Sequence, residues 1–522
     1  LESFPDCDSA LVQAARLLQS GFPARVFTVS GGEAAAVSVG DYPRQTQALG
    51  VVWRLRRAGF RQGRVRTVRV ALPSAEPERA PSGEGDLLVL GEPREGAAPS
   101  PGKPAEPGAL RIGPEELRLE GGPLLDPGPV ASHQYLHADL RLRWRPTPAW
   151  TLRVAGRADG YRQGGSARWS DWELGPGETF LRYRGDYLRL TAGYQKVLWG
   201  RIDELPPTDG LGVRDLRRFI LDDYADRRLP GPALRAEVLG GPASLDLVWV
   251  PRFRPADLPE RESLWSPVDR RRGRISGLPP DPVLAALVRE GTFGKEDTGS
   301  GGGGARLELT GRRVDGALTV QRIRRSAPYY ELDPAVRGAL AAGQPPGAAL
   351  GAGDPTFTER HPWTWLAGGD LAFEGGGAVW RAEAAWRSDV PVTTPELALD
   401  TAEALDWAAG AEWYPGEGSA RLNVQMVGRD LLEAGEVLDI PRIRTLSGTL
   451  AWPFAHARWR ARLRFLLGLN RHQTYLHPQL AYRGLEPHSF FIGVHLFEGH
   501  PATPVGFHGG HDLAVLGWRA RF

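Results

Sequence analysis

The sequence predicts a mainly β protein: a transmembrane antiparallel β-barrel of about 18 strands, preceded by a small α+β domain. Three observations lead to this prediction. Apolar and charged residues alternate with a period of two through most of the chain after Ser132. No run of about 18 apolar residues occurs, which excludes a helical membrane span. Long and short connections between the strand-like segments also follow one another in a regular order.

The composition permits a barrel and limits the possible partners. The mean hydropathy is −0.32, and 24% of the 522 residues are charged. A barrel tolerates these values because only every second residue of a strand faces lipid. The 17 Trp, 12 Tyr and 17 Phe suit aromatic girdles. The net charge of +2 gives no indication of a nucleic-acid partner.

Residues 1–73 have the pattern of a small α+β domain that resembles a ferredoxin-like module. The predicted elements are a helix over 8–21, a strand over 24–29, a strand over 35–39, a helix over 44–58 and a strand from Arg64. The helix-then-strand order occurs twice, so the sequence predicts a helix-on-sheet domain of ordinary size.

One segment of this domain is similar to a known family. Val39-Gly40-Asp41-Tyr42, followed by the helical stretch QTQALGVVWRLRRAGF, resembles the sporulation-related repeat (SPOR) domain. The resemblance implies binding of peptidoglycan glycan strands on the sheet face, with Arg25, Ser38, Gly40 and Tyr42 as candidate residues. The first strand of the family is missing here or reduced to residues 1–4. A plain module that contacts another periplasmic protein is the alternative, and the sequence leaves both open.

Residues 74–131 have the composition of a linker. They mix short strand-like pieces near Asp86, Ala109 and Leu117 with Pro- and Gly-rich spacers such as EGAAPSPGKPAEPG. Proline-dense segments are semi-extended and carry little core of their own. The sequence therefore predicts a linker, of which a part could enter the barrel as a plug.

Residues 132–522 carry the predicted barrel. Its strands are expected to start near 132, 150, 167, 178, 187, 232, 243, 304, 316, 362, 378, 406, 419, 442, 456, 473, 487 and 512. The alternation is clearest around Trp459, Ala461 and Leu463, which lie between arginines. A soluble sandwich would bury one face of each strand, and it is the competing interpretation of any single strand.

The connections favour the barrel over the sandwich. The long ones, 198–231, 251–303, 326–361, 389–405, 429–441 and 498–511, all follow odd-numbered predicted strands. Connections after even-numbered strands are tight turns. Tight turns at one end and long loops at the other are typical of membrane barrels, and a sandwich gives no reason for this order.

The last segment, His511 to Phe522, is an amphipathic strand that ends in an aromatic residue. With the barrel pattern before it, the chain resembles the outer-membrane β-barrels of Gram-negative bacteria, including porins and export channels. The resemblance implies an outer-membrane location, with tight turns and the N-terminal domain in the periplasm and long loops outside. The chain starts at Leu1 without an apolar signal segment, as expected if an export signal has been removed.

The inward faces of the predicted strands are rich in arginine. The candidate lumen residues are Arg141, Arg143, Arg153, Arg157, Arg189, Arg235, Arg381, Arg458, Arg460, Arg462 and Arg464. An open lumen with this charge would favour anions, so the sequence predicts a passive channel or export porin for small anionic solutes or polymers. In the alternative, these arginines pair with acids and loop residues and fill a closed, non-conducting barrel that anchors the cell wall or a surface complex.

Other motifs point to no further chemistry. Short helices are expected in the long loops at 214–225, 280–291 and 333–343. His500, His508 and His511 lie in one Gly-rich loop, but the sequence does not predict a metal site or a cofactor. No catalytic motif stands out, so an enzyme is not predicted, although a secreted enzyme is the third hypothesis. The expected partner is outer-membrane lipid, with peptidoglycan or a periplasmic protein as further candidates. The sequence leaves the solute and the oligomeric state open.

Overall fold

The computed structural model describes residues 2–4, 24–28, 35–39, 108, 110–311, 313–415 and 420–522. The chain divides into two compact units, residues 1–91 and 92–522. In the first unit, Glu2–Phe4, Ala24–Thr28 and Ala35–Val39 form one antiparallel sheet with the last strand in the middle. The strands predicted at 24–29 and 35–39 are confirmed, and Arg25 lies opposite Ser38. The predicted helices, the strand from Arg64, and Gly40 and Tyr42 lie outside the described residues.

The second unit is a closed antiparallel barrel of 18 strands. In chain order they are β1 Leu110–Pro123, β2 Val130–Thr147, β3 Trp150–Gly165, β4 Trp169–Pro176 with Thr179–Arg184, β5 Leu188–Gln195, β6 Gly231–Gly240, β7 Ala243–Val250, β8 Gly302–Thr310, β9 Val314–Arg324, β10 Trp363–Gly375, β11 Ala378–Thr393, β12 Leu399–Trp413, β13 Arg421–Leu432, β14 Arg442–Phe454, β15 Trp459–Gly468, β16 Gln473–Leu485, β17 His488–Gly499 and β18 Leu513–Arg521. Each pairs with its neighbours in sequence, which confirms the predicted fold class.

The barrel closes where β18 pairs with β1, with Leu516 opposite Gly121. Residues 110–123 were assigned to the linker by the sequence analysis, and this assignment is wrong. The segment alternates as a barrel strand does, because Ile112 and Leu119 face outward while Arg118 and Glu120 face inward. Its proline and glycines hid the pattern.

Strand β4 is interrupted once, at residues 177–178. Both of its halves pair with β3, so the two strands predicted near 167 and 178 are one. Gly177 keeps the backbone close to β3, where its amide donates to the carbonyl of Ala155 at 2.9 Å. The predicted total of 18 is therefore correct, although one strand was missed and another was split.

The connections alternate as the sequence predicted. The long ones are residues 196–230, 251–301, 325–362 and 500–512, and they follow β5, β7, β9 and β17. The connection expected over 389–405 is shorter than predicted, because β11 and β12 extend past a bulge and leave only 394–398 as a loop. The barrel thus has a long-loop end and a tight-turn end.

The two faces of the barrel wall differ sharply in polarity. The outward side chains are apolar and exposed, for example Leu140, Leu318 and Ile492. The inward ones include buried charged residues such as Asp159 and Glu383. A closed barrel with an apolar exterior satisfies its backbone hydrogen bonds internally, which is what a lipid bilayer requires. None of the helices in the described residues is both long enough and apolar enough to cross a membrane.

Two of the long loops fold together into a small module at the long-loop end. Its helices are α1 Pro282–Glu290, α2 Pro334–Ala341 and α3 Pro346–Ala349, and its strands are Phe293–Lys295, Tyr329–Leu332 and Phe357–Arg360. Leu287, Val336 and Phe357 lie in its buried apolar core. The helices predicted at 280–291 and 333–343 are confirmed. The helix predicted at 214–225 is wrong, since those residues form turns whose side chains bind the barrel wall. Helix α4, Pro504–Phe507, lies in the loop before β18.

Candidate functional site: the lumen and the loop that crosses it

Residues 196–230, which connect β5 to β6, run through the barrel interior and are called the lumen loop here. The loop is tied at its base, where Val213 and Arg214 pair with Leu229 and Arg228. Trp199 is buried beside the wall, and its indole nitrogen donates to Asp246 at 2.7 Å. Apolar packing and a wall carboxylate therefore hold the beginning of the loop against β6 and β7.

The first stretch of the lumen loop binds carboxylates on β8, β10 and β11. Gly200 has a φ of 99°, a conformation that favours glycine, and this turn directs the next two amides to Glu383. The Ile202 amide donates to Glu383 at 2.6 Å, and the Arg201 amide donates to the same group. The Arg201 guanidinium binds Asp370 at 2.5 Å and Glu308 at 2.7 Å.

The next residues reach two further strands. Asp203 accepts from the Arg421 guanidinium on β13 at 2.9 Å. The Pro207 carbonyl accepts from Arg387 on β11 at 3.2 Å. These contacts carry the loop along the wall between β11 and β13, so that its backbone is fixed at several successive points.

A pair of loop arginines binds the opposite side of the barrel. Arg217 binds Asp159 on β3 at 3.2 Å, and Arg157 on the same strand binds Asp215 of the loop at 2.7 Å. The neighbouring Arg218 binds Glu120 on β1 and lies 3.9 Å above the centre of the Tyr135 ring. At this contact between the loop and the wall, a loop arginine binds a wall carboxylate and a wall arginine binds a loop carboxylate.

An acidic run in the loop binds arginines on β15 and β18. Asp223 accepts from both terminal nitrogens of Arg462, at 2.6 and 3.0 Å, and Asp226 binds Arg519 and Arg521. Burial acts to raise the pKa of Asp223, but the guanidinium groups of Arg462 and Arg464 outweigh it and hold the pKa well below its usual value. These carboxylates are therefore ionised at neutral pH.

Together these contacts fix the loop on every side of the lumen. Around the wall, the strands that it binds are β1, β3, β8, β10, β11, β13, β15 and β18. Most of these contacts replace water around a charged group by an opposite charge, which is favourable only if the geometry is retained. The loop therefore narrows the lumen as a rigid, ion-paired element.

Ten of the eleven arginines predicted for the lumen lie on barrel strands, and Arg458 lies in the exposed turn between β14 and β15. Several of the ten bind acids. Arg153 binds Glu115 at 2.6 Å, Arg189 binds Glu237 at 3.1 Å, Arg235 binds Asp246 at 2.7 Å, and Arg381 binds Glu412 at 2.6 Å. Arg141 is 3.4 Å from Glu115 and remains one-third exposed. Arg143, Arg157, Arg460, Arg462 and Arg464 complete the set.

Five of the acids that bind arginines in the lumen were not predicted from the sequence. Glu120 and Asp370 lie on barrel strands, and Asp215, Asp223 and Asp226 belong to the lumen loop. A signal was present, because the run of aspartates in the loop is matched by the arginine-rich inner face of β15. Assigning 214–225 to a helix concealed it.

The histidines of the last loop lie in an aromatic cluster at the long-loop end. The rings of His508 and His511 are 5.5 Å apart, and Trp265 lies 5.5 Å from His508. Phe219 of the lumen loop stacks 4.4 Å from His508, so three loops meet here. The Nδ1 of His500 accepts from the Ala502 amide at 3.2 Å. No group of three or more His, Cys, Asp or Glu side chains in the described ranges could hold a metal ion.

No protein-family model matches the chain, and no curated protein matches it. Its structure is similar to OmpF of Salmonella typhi in complex with daunomycin, with 9% identity, coverage of 80% of this chain and 98% of that chain, and a TM-score of 0.39. It is also similar to OccAB1 of Acinetobacter baumannii, with 8% identity, 80% and 98% coverage and a TM-score of 0.44. The outer membrane channel DcaP of Acinetobacter baumannii gives 9% identity, 80% and 97% coverage and a TM-score of 0.37. These are likenesses at low identity, so function has to be inferred from the lumen itself.

Proposed function

We propose that this protein is a passive channel of the Gram-negative outer membrane, in which the lumen loop forms the constriction. The observation that carries the proposal is a closed barrel, apolar outside and charged inside, with a loop fixed across its interior by ion pairs. Charges that face the interior act on solutes where water and ions enter it. The ion pairs keep the loop in place, and this sets an upper limit on solute size.

The proposed solutes are small anions. Arg141 and Arg143 lie near the tight-turn end of β2, on its inward face. Glu115 binds Arg153 at 2.6 Å and lies 3.4 Å from Arg141, and Arg153 also binds Glu178 at 3.3 Å. One-third of the Arg141 side chain stays exposed to the lumen. A fixed positive charge beside a water-filled path raises the local concentration of anions.

Conductance in planar bilayers tests both parts. We expect stable single-channel currents. In a KCl gradient, the reversal potential should have the sign that shows chloride to be more permeant than potassium. A unit charge about 8 Å from an ion in water contributes about 0.5 kcal/mol, and screening reduces this by about half. Replacing Arg141 and Arg143 by Gln should therefore lower the anion-to-cation ratio about fivefold, because anions and cations are affected in opposite directions. Arg458→Gln, in the exposed turn, is the matched control and should change it little.

A second candidate is a closed barrel with a structural role. The observation that favours it is the number of directions in which the lumen loop is ion-paired to the wall. Shortening the loop by deleting residues 215–227 separates the two. If the intact barrel carries no current while the shortened one conducts, the loop is a plug and the channel proposal fails.

The N-terminal unit is proposed to tether the barrel to peptidoglycan or to a periplasmic protein. The supporting observation is the sheet register, in which Arg25 and Ser38 are cross-strand partners. Sedimentation of the full protein with purified peptidoglycan tests this, with Arg25→Gln and Ser38→Ala expected to reduce the bound fraction. A bound fraction unchanged by either substitution would favour a protein partner.

A further inference from the structure

A group of arginine and tryptophan side chains lies on the lipid-facing side of β9 and β10, close to the long loops. Arg322 is opposite Trp365, and Arg324 is opposite Trp363. The Arg322 guanidinium lies 5.5 and 5.6 Å from the centres of the Trp363 and Trp365 rings, and that of Arg324 lies 4.8 Å from Trp363. These side chains point outward, since Leu318 on the same face of β9 is 67% exposed.

A second group of the same kind lies on β12 to β14. The Arg444 guanidinium is 5.1 Å from the centre of the Trp407 ring and binds Asp430 at 2.6 Å. The Trp407 ring covers Gly428, where a Cβ atom would come within 2.4 Å of it. Arg442, opposite Asp430, is 77% exposed and lies 3.9 Å from that carboxylate. The two groups together are called the rim patch here.

The charge of the rim patch is incompletely balanced by the protein. Arg324 binds Glu296 at 3.2 Å and Arg444 binds Asp430, but no carboxylate in the described part of the chain pairs with Arg322. Arg442 has only its distant contact with Asp430. A guanidinium directed at lipid is costly unless an anion accompanies it. The missing negative charge must therefore come from outside the polypeptide.

The height of the rim patch in the membrane identifies where that charge would come from. Trp365 and Phe373 lie eight residues apart on β10 and mark the two edges of its apolar face. At about 3.3 Å per residue and a tilt of about 40°, they are separated by about 20 Å along the barrel axis, close to the height of the apolar band in such barrels. The rim patch is therefore at headgroup level at the long-loop end.

We propose that each of the two groups of the rim patch binds the phosphate-bearing headgroup of a glycolipid in the outer leaflet, of the lipid A type. Guanidinium groups bind phosphate through paired N–H donors, which suits Arg322 and Arg442. The exposed indole of Trp365, 47% accessible, offers a flat apolar surface for a sugar ring beside the phosphate. The inference rests on the proposed function only for the membrane and the orientation, and it does not require an open lumen.

Native mass spectrometry of the full protein tests the proposal. The protein is reconstituted in phosphatidylcholine vesicles containing either lipid A or phosphatidylglycerol, extracted in mild detergent, and the lipid retained per barrel is measured. We expect preferential retention of lipid A. The double variant Arg322→Gln/Arg442→Gln should reduce it about tenfold, which corresponds to about 1.4 kcal/mol. The matched control is Arg458→Gln in a turn at the opposite end of the barrel, and it should retain lipid A as the unmodified protein does.

Two further measurements make the outcome decisive. Heat-modifiable migration in gels shows whether each variant forms the barrel. Arg322→Lys/Arg442→Lys should restore part of the retention, because the charge is kept while the paired donors are lost. Equal retention of phosphatidylglycerol and lipid A, or equal retention by the double variant and the control, would overturn the proposal. Failure of the channel proposal would instead be seen as absent conductance with lipid A still bound.

Discussion

Breaking the contact between Asp223 and Arg462 should loosen the lumen loop in a measurable way. The two groups make a two-fold contact of 2.6 and 3.0 Å, and Arg464 lies 3.5 Å from the same carboxylate. Two unit charges about 4 Å apart attract by about 4 kcal/mol at an effective dielectric constant of about 20. Because Arg464 remains near Asp223 and water can enter a channel lumen, we expect a net loss of about 2 kcal/mol for Arg462→Gln.

The assay compares, in single-channel recordings, the time spent at the higher conductance level with the time spent at the level of the channel with its loop in place. A loss of about 2 kcal/mol multiplies the population of the detached loop segment by about 30. Arg462→Gln and Asp223→Asn should each produce longer and more frequent steps to higher conductance. The remaining ion pairs, such as that of Arg201 with Asp370, should keep the rest of the loop in place.

A double-mutant cycle distinguishes this contact from a general effect of charge. Combining Asp223→Asn with Arg462→Gln should cost about as much as Asp223→Asn alone, because Asp223→Asn already removes the contact with Arg462 together with the weaker one with Arg464. Arg458→Gln removes one positive charge from an exposed turn and should leave the recordings unchanged. Additive effects of the two lumen changes, or recordings identical to those of the unmodified protein, would refute the reasoning.

Three other predictions concern the loops and the closure of the barrel. When the 500–512 loop is folded onto the barrel, burial is the main cause that lowers the pKa of His511 to about 4, and the positive charge of Arg272 adds to it. The pKa of an accessible histidine is 6.5. Closure should therefore be fully stable above pH 6.5 and weaken as the pH falls from 6.5 to 4, by about 2 kcal/mol at pH 5. Hydrogen exchange of this loop, corrected for intrinsic rates, should show a loss of at least this size. His511→Phe should remove the part due to His511 and leave the part due to His508, whose pKa is also lowered by burial, while His472→Phe should not change the loss. A Cβ atom on Gly122 would come within 2.0 Å of the Ala514 carbonyl of β18, whereas Gly113 has open space. Gly122→Val should thus cost about 1–3 kcal/mol and lower the yield of heat-modifiable barrel, while Gly113→Val should not. Leu287→Ala should destabilise the loop module by about 2–5 kcal/mol, seen as faster proteolysis of residues 251–301 with the barrel intact.

The barrel could be predicted because its signal is local. Alternation along β15, from Trp459 to Gly468, separates a lipid face from a charged face within one strand, and no knowledge of the neighbours is needed. The same locality explains the errors. Pro114 and paired glycines concealed β1, and the turn-like Gly177 divided β4. Each error arose where residues typical of turns occur inside a strand.

The site could be predicted only in part. The arginines of the inner wall follow from strand parity, and ten of the eleven candidates lie on strands. Their partners do not follow from it. Asp159 and Glu120 lie at inward-facing strand positions, as many other acids do. Nothing near them in the sequence indicates that Arg217 and Arg218 are their partners.

By itself, the sequence determined that this chain forms a closed barrel with tight turns at one end, because a period of two and the spacing of turns are properties of neighbouring residues. The tertiary structure alone decided which charges neutralise one another and which loop crosses the lumen. Asp223 and Arg462 are separated by 239 positions and meet only after the barrel has closed around the loop. An ion pair of this kind depends on the register of many strands together, so neighbouring residues in the sequence do not predict it.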